Sequence, residues 1–145
     1  MHSPFVYRFV TKGLYRKGNE KLTVTENVLA KSISYFSFKK IGLVTDSNTL
    51  KINLNSIFED LDYKMVPFDI VYANKRTKPF STISKEHIHN ETMLLIEGIY
   101  SSKENTAMWK KLKEQEQARV TLDLYHCGFV FFRREQAKEH FKIRL

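Results

Sequence analysis

Residues 92–133 constrain the fold more tightly than any other part of the chain. Thr92 to Gly98 contains the continuous apolar run Met93–Ile96, which is short and uninterrupted. A run of that kind points to a strand covered on both faces, as in a parallel sheet. An amphipathic helix follows, with Met108, Trp109 and Leu112 set inward and Lys110, Lys111 and Lys113 outward. Val120 to Arg133 is then rich in branched and aromatic residues and is expected to form a hairpin turning around His126–Cys127–Gly128. Strands joined so closely must run antiparallel. The order strand, helix, strand, turn, strand predicts an α/β domain whose sheet ends in one reversed strand.

The earlier part of the chain extends that pattern. Ser3–Pro4 is a good helix start, since serine caps and proline suits the first helical position. Phe5/Phe9 and Val6/Val10 recur four apart, Gly13 marks the expected end, and Arg8, Lys12 and Arg16 fall in a basic stripe. Thr23 with Glu26 three residues on forms a capping box ahead of a second helix carrying Val28, Leu29, Ile33 and Phe36. Ile41–Val44 reads as a buried strand, and Asp46, Ser47 and Asn48 as caps for a helix bearing Leu50, Leu54 and Ile57. Lys64–Val66 reads as a short strand, Phe68–Ala73 as a better one, and 84–89 as a turn or two of helix. Ser101 and Glu104 suggest another capping box, and Arg134–Phe141 a closing helix. The expectation is a reduced Rossmann-like, mostly parallel sheet of about five strands with helices on both faces, a pattern that alternating strands and helices favour. One domain over 1–145 is expected, with N-terminal helices over 1–38 and the reduced core over 39–145.

Composition narrows the class of protein. At 42% hydrophobic residues the chain has enough apolar material for a core. No apolar run approaches the roughly 18 residues a membrane-crossing helix needs. Cys127 is the one cysteine, so an intramolecular disulfide and a cysteine zinc cluster are both ruled out. With no secretory leader pattern at the start, a cytoplasmic setting is expected. The formal charge of +8 sits at the ends: residues 1–40 hold eight Lys/Arg against two acids, and 133–145 hold five against two. Such an excess bears on partners and solubility rather than on fold. Nucleic acid bound through the basic termini is one partner it suggests, and a plain solvated helix face is the ordinary explanation of the Arg8–Lys12–Arg16 stripe.

The chain resembles the class I S-adenosylmethionine-dependent methyltransferases, whose sheet carries one reversed strand formed by its last hairpin. His2–Val10 looks like the opening of a bacterial branch of that superfamily. Leu94–Ser101, Trp109 and Val120–Leu145 look like its closing segments, Gly128–Arg133 followed by Gln136–Phe141 being the most specific match. Together these cover about half the chain. The resemblance implies a Rossmann-like fold and an S-adenosylmethionine site after the first strand. There the family keeps a glycine-rich loop, because the backbone must approach the ligand closely. The matching loop here, Thr45–Thr49, contains no glycine, and Gly42 falls inside the strand. No secure equivalent exists for the family's ribose-holding acid. Asn74–Lys75–Arg76 follows Ala73 where relatives keep acids, and only Glu97 follows Ile96. The resemblance therefore implies a methyltransferase-like protein that has lost usual S-adenosylmethionine binding and serves as a non-catalytic binding or scaffold module. An active methyltransferase with an atypical site and a nucleic-acid-binding protein are the alternatives. Losing edge strands leaves an exposed sheet edge, to be covered by the N-terminal helices or by a homodimer.

Ligands of open α/β sheets bind at the carboxyl ends of the strands. The candidates there are Thr45, Asp46, Asn74 and Glu97, with Tyr100 beside them. Asp46 is explained better as a helix cap. Glu97 suits a ligand hydroxyl, but one acid alone makes a poor metal site. No catalytic residue and no metal ligand is assigned. His87 and His89 lack a third partner, and His126 and Cys127 would point to opposite faces of a strand. Phe129, Phe131 and Phe132 are expected in the core.

Overall fold

The structure, a computed structural model, describes residues 3–45, 48–75 and 85–144. Six strands form one sheet: β1 (Ile41–Val44), β2 (Ile70–Ala73), β3 (Met93–Glu97), β4 (Val120–Asp123), β5 (Cys127–Phe131) and β6 (Glu139–Lys142). Their spatial order is β1-β2-β3-β5-β4-β6. β1, β2 and β3 pair in parallel, β5 runs against both β3 and β4, and β6 adds to β4 in parallel. The result is a mostly parallel, broadly Rossmann-like α/β sheet with one reversed strand in its interior.

Helices cover both faces. α1 (Pro4–Arg8) continues as a π-helical segment through Phe9–Leu14; α2 (Val24–Phe36), α3 (Thr49–Ile57) and α4 (Lys103–Glu114) complete the set. Successive strand residues point to opposite faces, and the cores divide accordingly. Tyr72, Leu95, Phe129 and Phe131 join the N-terminal helices, α2 and α3 on one side. Val71, Leu94 and Val130 meet Trp109 and Leu112 of α4 on the other. The N-terminal helix lies on a sheet face: Phe5 and Phe9 pack edge-on against Phe131 and Phe129 of β5. It therefore does not close a sheet edge, one of the two coverings considered for that edge. The outer edge of β1 is met instead by Asp62, whose backbone bonds with Ile41 and Lys39 at 2.8 Å each.

The local signals hold at both N-terminal caps. The Ser3 side chain accepts the Val6 N–H, and the Thr23–Glu26 capping box is complete. Four expectations are corrected. Arg134–Phe141 is a turn leading into β6, because the free edge of β4 offers backbone partners: the Glu139 N–H reaches the Arg119 carbonyl at 2.9 Å, and the Ile143 N–H the Asp123 carbonyl at 2.8 Å. Tertiary pairing here overrides local helix preference. Lys64–Val66 is not a strand, since the Asp62 carboxylate takes the N–H groups of Lys64 and Met65 and folds them into a turn. The α4 cap is Ser102, accepting from the Asn105 N–H, while the Ser101 hydroxyl donates to the Gly98 carbonyl. The last hairpin turns at 124–126, so Cys127 and Gly128 already belong to β5. Asp46 and Ser47 lie outside the described residues; Asn48 caps α3 without a side-chain bond.

At the opposite end of the sheet, Asp69 joins three segments. Its carboxylate accepts the N–H groups of Lys39 and Lys40 at 2.9 Å each, and the His89 ring nitrogen Nε2 lies 3.2 Å from it. Because His89 Nδ1 accepts the Glu91 N–H, Nε2 carries the proton and donates to Asp69. Burial raises the Asp69 pKa, but the two backbone donors and His89 together outweigh it and hold the group below the ordinary value. A depressed carboxyl pKa gives stability that is present above the unfolded value near 3.9 and lost as pH falls through the folded one. Asp69→Asn is expected to cost about 1.5 kcal/mol at neutral pH, the low end for bonds to a charged acceptor. That difference should close below about pH 4, and urea titrations across the acid range will show it.

Candidate functional site

The carboxyl ends of β1, β2 and β3 open into a cleft of about 620 Å³. Thr45, Asn74 and Glu97 all line it, together with Tyr100. Asp46, the fourth residue singled out from the sequence, lies outside the described residues. The cleft is walled on one side by the start of α2 (Thr23–Glu26) and on another by the β4–β5 turn at Tyr125 and His126.

Glu97 is the best-positioned of these groups. It is the last residue of β3, and its two carboxylate oxygens are oriented separately. One accepts the Tyr72 hydroxyl at 3.3 Å and the other the Lys75 backbone N–H at 3.1 Å. The chain then turns sharply at Gly98, whose φ is +69°. A side chain there would be strained by that φ and would also place its Cβ 2.6 Å from the Lys75 Cβ. Glycine is thus what lets the 97–101 turn close over the loop after β2. Next to it the Asn74 side-chain amide donates to Thr45 Oγ1 at 2.8 Å, tying the ends of β1 and β2 together.

A second carboxylate, Asp123, ends β4 and is almost wholly buried. It accepts the Tyr125 N–H at 2.9 Å and the Tyr100 hydroxyl. Those bonds hold Tyr125 at a left-handed φ of +73° on the cleft rim, where its ring is half exposed. The electrostatics follow from burial beside these acids. Burial, with the charges of Glu97 and Glu26, raises the Tyr72 pKa well above its ordinary value. Burial and Asp123 push Tyr100 up to about 12. Burial pushes the Cys127 thiol up to about 12; a bond with Thr25 opposes this, while Glu97 and Asp123 add to it. At neutral pH all three stay protonated. They can donate hydrogen bonds, but they supply neither a base nor a thiolate nucleophile.

The remaining candidates lie elsewhere. His87 stacks on Phe68, and His89 serves Asp69 at the far end of the strands. Among the described residues no group of three His, Cys, Asp or Glu side chains is placed to hold a metal. Sequence reasoning missed Tyr72, Lys75 and the start of α2. Tyr72 is signalled by its alternation with Val71 along β2, but the approach of Thr23–Glu26 depends on how the 15–22 connection folds. Among the described residues no helix is long and apolar enough to cross a membrane.

Fold and cleft together define a Rossmann-like α/β domain with a concave, carboxylate-floored site at its strand ends. No family model, curated protein or solved structure matches the chain.

Proposed function

We propose that the protein is a methyltransferase-like binding module that holds a small polar ligand in this cleft without catalysis and without the usual grip on S-adenosylmethionine. The observation that carries the reading is Glu97, a carboxylate fixed at a strand end by Tyr72 and Lys75 inside a cleft of about 620 Å³. That volume falls within the range of small-molecule sites. A carboxylate has about four acceptor positions; two are used here, which leaves capacity for a ligand O–H or N–H. The reversed β5 between β3 and β4 supports the methyltransferase resemblance. The glycine-free Thr45–Thr49 loop argues against the usual cofactor grip, and the protonated Tyr72 and Cys127 argue against their serving as a general base or a thiolate nucleophile.

Calorimetric titration with S-adenosylmethionine and its demethylated product checks the central point. Neither is expected to bind at micromolar concentration, and micromolar binding of either returns the protein to the active-methyltransferase reading. A thermal-shift panel of nucleosides, polyols and amines is expected to yield a stabilising ligand. Glu97→Gln should weaken that ligand about tenfold or more, the value of a hydrogen bond to a charged group.

A further inference from the structure

The N-terminal helix, together with Tyr15 and Arg16 just past its end, repeats every four residues. Phe5–Phe9–Gly13 and Val6–Val10–Leu14 form two rows turned into the protein, with Phe9, Val10 and Leu14 almost fully buried. Tyr7–Thr11–Tyr15 and Arg8–Lys12–Arg16 form two rows turned outward, and both tyrosines are 57% exposed. On an α-helix residues four apart are offset by about 40°, because a turn holds 3.6 residues. A four-residue repeat would therefore wind off its face within a few turns. Here the Phe9–Leu14 segment is π-helical and its ladder continues with the Tyr15 N–H bonding the Val10 carbonyl at 3.1 Å. The wider i→i+5 turn offsets residues four apart in the opposite sense, against the α-helical drift, and burial follows the rows.

The outward face is thus a row of cations beside a row carrying two exposed rings. Residues 1–19 contain no Asp or Glu. Among the described residues no carboxylate forms an ion pair with Arg8, Lys12 or Arg16.

We propose that this face binds single-stranded nucleic acid, with Tyr7 and Tyr15 stacking on bases and Arg8, Lys12 and Arg16 contacting phosphates. Sequence-tolerant single-strand binders combine a basic track with aromatic platforms in this way. A cationic helix that binds membranes needs an apolar face to bury in the lipid, and the apolar rows of this helix are already used against β5. Duplex DNA keeps its bases stacked inside and would leave the two rings without a role. The site is separate from the cleft, so it stands or falls independently of the ligand proposed there.

Fluorescence anisotropy with a labelled single strand of about twelve nucleotides, within the span of known single-strand sites, tests the proposal. Three phosphate contacts give a log–log salt slope near −2 for single strands, so raising salt from about 50 to about 200 mM should weaken binding about 20-fold. Tyr7→Ala and Tyr15→Ala should each cost about tenfold, with the circular-dichroism melting curve unchanged because both rings are exposed. Combining Arg8→Gln, Lys12→Gln and Arg16→Gln should flatten the salt slope. Absence of binding at low salt, equal affinity for the matching duplex, or full affinity in the two tyrosine variants overturns the proposal. Tighter binding to phosphatidylserine vesicles than to the oligonucleotide reassigns the face to a membrane surface.

Discussion

Phe9→Ala is expected to destabilise the protein by about 3–5 kcal/mol, the usual cost of deleting a buried phenylalanine ring. The side chain is fully buried, and four aromatic rings surround it. Its centroid lies 5.0 Å from Phe36, 5.4 Å from Phe129, 5.6 Å from Tyr35 and 6.2 Å from Phe131. Tilted and edge-on pairs of this kind add about 0.5–1.5 kcal/mol beyond the area they bury. Truncation removes several of them at once and leaves a cavity between a helix and the central strand, where neither neighbour can collapse freely. Since whole domains are stable by only about 5–15 kcal/mol, the variant should sit near the edge of folding. Urea unfolding followed by far-ultraviolet circular dichroism should show a lower midpoint with an unchanged slope. A cost under about 1 kcal/mol would mean that the N-terminal helix is not docked on β5. The same substitution at Phe5, which is only partly buried, should cost visibly less.

That contrast bears on how the two proposed sites relate. The residues that anchor the N-terminal helix and those offered to nucleic acid alternate along the same four-residue repeat. The helix therefore presents Tyr7, Arg8, Lys12, Tyr15 and Arg16 only while Phe9, Val10 and Leu14 are docked. The cleft lies at the strand ends beside the start of α2, and α2 also packs against this helix through Tyr35 and Phe36. Phe9→Ala should weaken single-strand binding through unfolding, whereas Tyr7→Ala should weaken it with the fold intact.

Where the chain's signals are local and repeated, the sequence predicts the structure well. The Met93–Ile96 run became the first four residues of β3, with Met93, Leu94 and Leu95 buried, and the aromatic stretch after the hairpin became β5 with Phe129 and Phe131 in the core. Thr45, Asn74 and Glu97 reach one cleft because parallel strands all end on the same side, so a strand-end position read from sequence is already a position in space. What sequence did not reveal depends on contacts between distant segments. β6 exists because β4 had a free edge 19 residues earlier in register, Val120 pairing with Glu139. Nothing in Arg134–Phe141 itself announces that partner. The turn at 62–65 depends on one carboxylate capturing two amides, and the start of α2 reaches the cleft only because the helix packs across the sheet. The π-helical segment was not legible: the pairs Phe5/Phe9 and Val6/Val10 are spaced as in any amphipathic α-helix.

Gly128→Ala should also destabilise the fold, by about 1–2 kcal/mol once the backbone gain is set against the overpacking, and its sign is informative. In a strand interior the same change ordinarily helps, because glycine costs about 0.5–1 kcal/mol relative to alanine. Gly128 lies in β5, paired with Ile96 on one side and Asp123 on the other, and the outer edge of the Trp109 six-membered ring sits over it. A Cβ at this position would come within 2.5, 2.7 and 2.9 Å of three ring carbons. The ring is nearly fully buried and rigid, so the strand or the whole of α4 must move. Overpacking of this kind costs about 1–3 kcal/mol, enough to outweigh the backbone gain. Trp109 is the single tryptophan of the chain, so its fluorescence reports on this contact directly. The parent should emit at the short wavelengths of a buried indole and Gly128→Ala should shift to the red before any global unfolding. Trp109→Leu supplies the control: with the ring gone, adding the methyl group at 128 should become neutral or favourable. The two changes should then couple by about 1–3 kcal/mol, as contacting residues do. A stabilising Gly128→Ala in the parent, or additive effects across the cycle, would show that Trp109 does not rest on this strand and that α4 covers the sheet in some other way.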